Sequence, residues 1–329
     1  EIYTLSLTTL FRSRMIVTRE KRWWRLALTV DGSTLPRTWK RVLATTVLAF
    51  VTTIAWEIFE LRDVTLTVTP FSLIGLAISI FLGFRNNASY DRYWEARKLW
   101  GRMVNISRSW ARQVMTLIAA EDGASDARKA EVRQLQETLI KRQAAYVHGL
   151  RMHLRKEERW DELGAWLDDA ELEQLKTESN RPSVITHRTG ELMTQAWRDG
   201  LIHPMHVPVL EGSLTEITGI QGGCERILAT PVPFVYNVLM HRIVGLYCIF
   251  LPFGLVTSLH WMTPLATAFI AYAFYGLDSI GDEIEEPFGH DPNDLPLSYL
   301  SRMIEVNLRQ RIDDPDLPGM HRAVGGLLD

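Results

Sequence analysis

Residues 64–84 form an uninterrupted stretch without a charged side chain. A helix that spans a bilayer requires roughly 20 mostly apolar residues, and this stretch meets that requirement. Three further apolar stretches, at residues 42–59, 234–259 and 262–277, are a little shorter or carry an interruption. The core helix of a soluble protein would explain any one stretch alone. Four stretches in two pairs, each pair joined by a short loop, instead predict four transmembrane helices.

Basic residues predict the orientation of these helices. Those at residues 21–41, directly before the first stretch, are Lys21, Arg22, Arg25, Arg37, Lys40 and Arg41. Those that follow the second stretch are Arg85, Arg92, Arg97, Lys98, Arg102, Arg108 and Arg112. The loops at 60–63 and 258–261 carry at most one basic residue each. Because cytoplasmic loops are enriched in lysine and arginine, both termini and the long middle region are predicted to be cytoplasmic.

The chain divides into five predicted segments. They are an N-terminal cytosolic or interfacial segment (1–41), transmembrane helices one and two (42–84), a cytosolic helical region (85–232), transmembrane helices three and four (233–280), and an acidic turn with a C-terminal tail (281–329). The middle region contains helix-forming runs and no useful alternating pattern, so the fold class is predicted to be all-α. No secretory signal peptide is evident, and Met15 is a candidate initiator with an extension before it.

Composition and motifs argue against several classes of function. The two cysteines, Cys224 and Cys248, lie far apart, which argues against a disulfide scaffold or a cysteine zinc site. The glycine-rich phosphate loops and common hydrolase motifs are missing, so we do not expect an enzyme. The basic residues are not interleaved with aromatic side chains, so nucleic-acid binding is not expected. They suit anionic lipid headgroups instead.

Large apolar residues recur at every fourth position in the second half of the stretch 64–84. Leu76, Ile80 and Phe84 therefore share one face of a helix. The small residues beside them are Ser72, Gly75, Ser79 and Gly83. Small residues at this spacing let membrane helices approach closely, so several copies could surround an axis and form a hydrophobic constriction that gates by dewetting. Packing against lipid or other helices is the simpler interpretation of the periodicity alone.

Three longer sequence patterns resemble those of the bestrophin family, and the resemblance is greatest to its bacterial branch. Residues 70–101 contain FLGFRNN followed by spaced tyrosine, arginine and EAR positions. Residues 223–234 contain GCERI and TPVPF, and residues 282–296 contain DEIEEPFG and NDLP, in the family's order. The resemblance runs from Met15 to about Ile312 and is weakest in the cytoplasmic helices.

This resemblance implies an all-helical homopentamer with one axial pore, a hydrophobic neck and a large cytosolic vestibule. The family's neck positions fall on Leu76, Ile80 and Phe84. A second, cytosolic aperture is expected near Met205, with Ile202 as the alternative. The residues just beyond the neck, which would line the vestibule or else cap or bridge subunits, are Arg85, Asn86 and Asn87.

The preferred hypothesis is a passive channel for monovalent ions in the bacterial inner membrane, with cations implied by the bacterial relatives. Its partners would be identical subunits, monovalent ions and membrane lipids, and no bound cofactor is required. Two alternatives stay open. One is an anion channel of the same fold, either with or without the calcium dependence of the animal relatives, and the other is a non-conducting sensor or scaffold anchored in the membrane.

Two metal sites are weaker candidates. Asp291 and Asp294 fall on acidic ligands of the calcium clasp found in animal bestrophins, but His290 and Pro292 replace other acidic residues there. Because Ca²⁺ takes six to eight oxygen ligands, a structural staple between subunits is the preferred interpretation of this turn.

The sequence HPMH places two histidines beside the expected aperture. In a pentamer, His203 and His206 would form imidazole rings that titrate near neutral pH or bind a transition metal such as Zn²⁺. Exposed polar surface is the simpler interpretation of the pair.

Overall fold

The computed structural model describes residues 15–16, 23–30, 32–60, 66–320 and 327–328, which are almost entirely helical. The one strand pair within them joins Met15–Ile16 (β1) to Leu327–Leu328 (β2) in antiparallel register. The predicted all-α class is therefore confirmed. The residues before Met15, the basic residues Lys21 and Arg22, and the first residues of the stretch 64–84 lie outside the described residues.

The α-helices of the described residues are, in chain order, α1 (Trp23–Ala27), α2 (Leu35–Glu57), α3 (Val68–Leu117), α4 (Asp126–Arg155), α5 (Trp160–Leu163), α6 (Asp169–Thr177), α7 (Arg181–Arg198), α8 (Val207–Ala229), α9 (Phe234–Leu259), α10 (Thr263–Glu285) and α11 (Leu297–Arg309). Short 3-10 turns occur at Pro204–His206, His260–Met262 and Gln310–Ile312. The helix α9 coincides with the apolar stretch 234–259. The helix α3 continues far beyond residue 84, so the predicted segment boundary at 84/85 falls inside one helix.

The chain forms two compact units, which we call the apolar unit (Thr18–Trp94 and Thr230–Pro287) and the helical unit (Glu1–Val17, Glu95–Ala229 and Phe288–Asp329). In the apolar unit, α2 packs along α9 and α10. The buried cluster at its centre consists of Ile78, Leu82, Met240, Val244, Cys248, Ala271 and Tyr275. These residues come from α3, α9 and α10, so three of the four predicted transmembrane helices share one core.

Much of the apolar surface of this unit faces outward. Two helical segments within the described residues, Val68–Leu117 and Phe234–Glu285, are long and apolar enough to cross a membrane. Only 28% and 33% of their most apolar windows are buried inside the protein. A water-soluble monomer rarely exposes such continuous apolar surface, which indicates contact with lipid or with further copies of the chain.

The helical unit is organised around α4, whose second half is buried on nearly every side. Arg142 of α4 makes a two-bond ion pair with Glu171, with N–O distances of 2.9 and 2.7 Å. Its remaining donor atoms bind the Thr189 hydroxyl and the Ile185 carbonyl. A buried ion pair is tolerated when its other hydrogen-bonding groups are also satisfied, and this arrangement joins α4 to α6 and α7.

A buried histidine lies in the same unit. The Nε2 atom of His148 lies 2.9 Å from Glu305 Oε2, and its Nδ1 atom lies 3.7 Å from Glu162 Oε2. Burial lowers the pKa of His148 and outweighs the opposing effect of the hydrogen bond with Glu305, while the nearby Arg151 lowers the pKa further. The folded protein therefore favours the neutral imidazole.

We expect His148 to make the stability of the helical unit depend on pH. Between the unfolded pKa of about 6.5 and the lower folded pKa, the unfolded chain binds more protons, so the free energy of unfolding falls as the pH falls through this window. His148→Asn should weaken this dependence when melting temperatures are compared between about pH 8 and pH 5.5. His187→Asn, on an exposed surface, controls for the loss of an imidazole. An unchanged pH dependence in His148→Asn would contradict the prediction.

Candidate functional site

The predicted neck stripe projects away from its own protomer. Leu76, Ile80 and Phe84 of α3 are 62%, 50% and 64% exposed. The helix uses a different face for the core, through residues such as Ile78 and Leu82, which are 2% and 0% exposed. The stripe is therefore available to face an axis, a neighbouring copy or lipid.

The predicted stripe of small residues divides between two roles. A Cβ atom on Gly75 would lie 2.7 Å from the hydroxyl oxygen of Tyr247, so the missing side chain lets α9 approach α3 within one protomer. A Cβ atom on Gly83 would meet nothing within 4 Å, and Ser72 and Ser79 are exposed. The prediction that all four small residues serve contacts between copies is therefore corrected for Gly75.

A polar cluster follows the stripe directly. Arg85 is 1% exposed, and its guanidinium donates to Asp278 Oδ1 at 2.7 Å, to the Asp282 carboxylate and to Asn237 Oδ1 at 3.0 Å. On the far side of the cluster, His241 Nδ1 lies 2.7 Å from Asp278 Oδ2. The cluster thus ties α3 to α9 and α10 inside the apolar unit.

These contacts correct the expected role of Arg85. Its side chain is buried among three helices of its own protomer, so it does not line a vestibule there. A Cβ atom on Gly281 would lie 3.3 Å from Arg85 Cζ and 2.5 Å from Asn86 Oδ1, which explains why α10 carries a glycine at this level. Asn86 donates to the Leu277 carbonyl at 3.0 Å. Asn87 is exposed, and its role in lining the vestibule or bridging subunits stays a prediction.

The same cluster contains three side chains close enough together to hold a metal ion, a grouping that the sequence did not predict. His241, Asp278 and Asp282 each offer a ligand atom within 4.8 Å of the others. The guanidinium of Arg85 hydrogen-bonds to both carboxylates, so the protein itself supplies the positive charge. A cation bound here would have to compete with that buried guanidinium.

The two candidate aperture residues differ sharply in exposure. Met205 is 74% exposed, but Ile202 is 1% exposed. Ile202 is therefore wrong as a pore-facing alternative, because its side chain is packed inside the helical unit. The assignment of Met205 to the cytosolic aperture stays a prediction. Its position in a short 3-10 turn before α8 explains why its side chain projects outward.

Hydrogen bonds decide the tautomers of the two neighbouring histidines, whose ring centres lie 5.4 Å apart. His203 Nδ1 accepts from the Met205 amide at 3.2 Å, so the proton of the neutral ring sits on Nε2. His206 Nδ1 lies 2.8 Å from the Leu117 carbonyl and must donate to it, which leaves the Nε2 lone pair free. Only His206 thus presents a ligand atom, and the pair does not form a preorganised metal site within one protomer.

The acidic turn is held together by its own backbone. Asp294 is buried, and its Oδ2 atom accepts from the Asp291 amide at 2.7 Å. Arg155 donates to the Phe288 and Leu295 carbonyls and to the Ser298 hydroxyl, and burial lowers the pKa of this arginine to about 10.

These contacts support a structural role for the turn within one protomer. Among the described residues, Asp291 and Asp294 do not belong to a group of three close acidic or imidazole ligands. The Asp294 carboxylate is already engaged by the backbone of the turn, and a calcium site would need many more oxygen ligands.

The buried Arg85 cluster is a feature that sequence reasoning missed. A signal was present, since His241 interrupts one apolar stretch and Asp278 closes another. Ionisable residues inside membrane segments are rare and usually pair with one another. That rule would have directed attention to these residues as partners of Arg85.

Comparison with known proteins identifies relatives over most of the chain. The family model described as Bacterial/Fungal Bestrophin protein matches residues 15–310. The voltage-dependent anion channel-forming protein RSc3414 of Ralstonia nicotianae is 40% identical over 315 residues, which cover 96% of this chain and 100% of that protein. The voltage-dependent anion channel-forming protein YneE of Escherichia coli K12 is 38% identical over 304 residues, covering 92% of this chain and 96% of that protein.

Solved structures show the same fold. The crystal structure of a bacterial bestrophin homolog from Klebsiella pneumoniae superposes with a TM-score of 0.78 at 34% sequence identity. The superposition covers 84% of this chain and 99% of that one. The resemblance found in the sequence motifs is therefore confirmed at the level of the fold.

Proposed function

Since this chain belongs to the bacterial and fungal bestrophin family, we propose that it is an ion channel whose pore is lined by α3. The observation that carries the proposal is the outward projection of Leu76, Ile80 and Phe84. These side chains contribute little to the protomer core, so a ring of copies can turn them toward one axis. A ring of large apolar side chains there would form a constriction that opens and closes through wetting.

The proposed assembly is a homopentamer embedded in the inner membrane. The outward apolar surface of α3, α9 and α10 supports contacts with neighbouring copies and lipid. The exposed basic residues Arg37, Lys40 and Arg41 at the start of α2 support a cytoplasmic N-terminal side. Native mass spectrometry of the purified protein tests the subunit number, with five subunits as the expected result.

We further propose that the permeating ions are small monovalent anions. The relatives RSc3414 and YneE are both named as anion channel-forming proteins. These names support the anion alternative that the sequence left open, rather than the cation preference.

A reversal-potential measurement tests the proposed function. Purified protein is placed in a planar bilayer under a tenfold KCl gradient. An anion channel reverses near the chloride equilibrium potential, at a magnitude of about 59 mV. Reversal with the opposite sign would reject anion preference and retain the channel. An absence of current and of liposome flux from an intact oligomer would reject conduction and favour a membrane-anchored scaffold.

A further inference from the structure

An apolar cavity edged by arginines lies in the helical unit, between the C-terminal part of α3 and α11. Its volume is about 580 Å³. The buried apolar residues that line it are Val104, Ala111, Ile304 and Leu308, and the buried Ser107 beside them accepts a hydrogen bond from Gln143. Cavities that hold small molecules typically measure roughly 300–1,000 Å³ and combine an apolar lining with a few polar groups. The size and the lining of this cavity fit that description.

Three positive charges surround the cavity. Arg108 and Arg112 of α3 and Arg311, just beyond α11, contribute to its wall and are exposed. Within the described part of the chain, no ion pair joins any of the three to a carboxylate. Arg102 on the same helix differs, because it pairs with Glu216 at 3.2 Å.

The spacing of these arginines makes an anion favourable between them. Arg108 and Arg112 are four residues apart, so they lie on one helix face, where like charges repel. Arg311 adds a third charge to the cavity wall from the short turn after α11. A single carboxylate accepts paired hydrogen bonds from a guanidinium and would relieve this repulsion.

We propose that the cavity binds an amphipathic monoanion, with a carboxylate head on the arginine rim and an unbranched hydrocarbon tail on the apolar lining. Charge complementarity selects the head, and the buried aliphatic side chains select the tail. The site is separate from the proposed pore stripe, and its test needs no ion current. Failure of this proposal and failure of the proposed function are therefore distinguishable.

Titration calorimetry with octanoate tests the proposal on the full-length protein in nanodiscs of zwitterionic lipid. We expect saturable binding, one molecule per chain. Acetate, which lacks the tail, and 1-octanol, which lacks the charge, should each bind at least about tenfold more weakly. In the series hexanoate, octanoate and decanoate, affinity should rise roughly fourfold for each methylene that is buried.

The test variant combines Arg108→Gln, Arg112→Gln and Arg311→Gln in one chain. The control variant carries Arg102→Gln alone. The triple variant should weaken octanoate binding by at least about tenfold, the factor that corresponds to one charged hydrogen bond, and Arg102→Gln should leave it unchanged. Equal binding of octanoate to the triple variant, equal affinity for 1-octanol, or no saturable binding would each overturn the proposal. Loss of the oligomer in the triple variant without any octanoate binding would also overturn it and assign the cavity to a contact between copies.

Discussion

Shortening the three neck side chains should raise the ion flux of the reconstituted protein by roughly an order of magnitude, which corresponds to ~1.4 kcal/mol less barrier. The change is Leu76→Ala, Ile80→Ala and Phe84→Ala in one chain. Large apolar side chains around a narrow axis disfavour water and hence ions, and alanines widen the passage and lower this barrier. Single-channel conductance in planar bilayers measures the effect.

The same helix offers a matched control for two of the three changes. Ile74 and Phe81 are 47% and 51% exposed and lie on a different face of α3. Ile74→Ala and Phe81→Ala remove the same side-chain atoms as Ile80→Ala and Phe84→Ala, so we expect the first pair to change the conductance little and the second pair to raise it. Equal increases in both double variants would show that the effect is not specific to the stripe. An unchanged conductance in an intact neck variant would reject the neck assignment.

Replacing Arg85 with methionine should lower the free energy of unfolding by about 3–5 kcal/mol, the usual cost of breaking a buried ion pair from one side. The substitution removes the guanidinium partner of Asp278, whose side chain is 1% exposed, and leaves His241 as its remaining side-chain contact. It also removes donors to Asp282 and Asn237. The loss of the cation beside the buried Asp278 carboxylate is the physical origin of the lower stability. Thermal unfolding in detergent, followed by the helical circular dichroism signal, measures it.

Two further variants make this prediction specific. Arg102→Met removes an exposed ion pair from the same helix, and we expect it to change stability by no more than about 1 kcal/mol. Adding Asp278→Asn to Arg85→Met removes the buried negative charge and should recover part of the lost stability. A single Arg85→Met variant as stable as the wild type would contradict the buried ion pair. A double variant no more stable than the single one would show that the charge of Asp278 is not the cause.

The candidate site was predictable from sequence to a limited depth. The spacing of four residues predicted that Leu76, Ile80 and Phe84 share one helix face, and the structure shows that this face points away from the protomer core. The sequence could not decide between Met205 and Ile202 as the aperture residue. Two residues that are three positions apart in a turn can project in opposite directions, one outward and one into the protein. The sequence left Arg85 open between lining a vestibule and capping or bridging subunits, because its partners are far along the chain, with Asp278 193 residues away.

The sequence by itself determined that the chain is helical, that it carries long apolar segments suited to a bilayer, and to which family it is related. The helical fold and the apolar segments follow from local composition and from the 3.6-residue period, and the family follows from short motifs. Each of these can be read within a single stretch of the chain. Only the tertiary structure decided which face of each helix is covered. It buried Arg85 against α9 and α10, used Gly75 for contact with Tyr247, and brought Arg311 to the same cavity as Arg108 and Arg112. Such choices depend on contacts between residues far apart in sequence, and no local pattern encodes them.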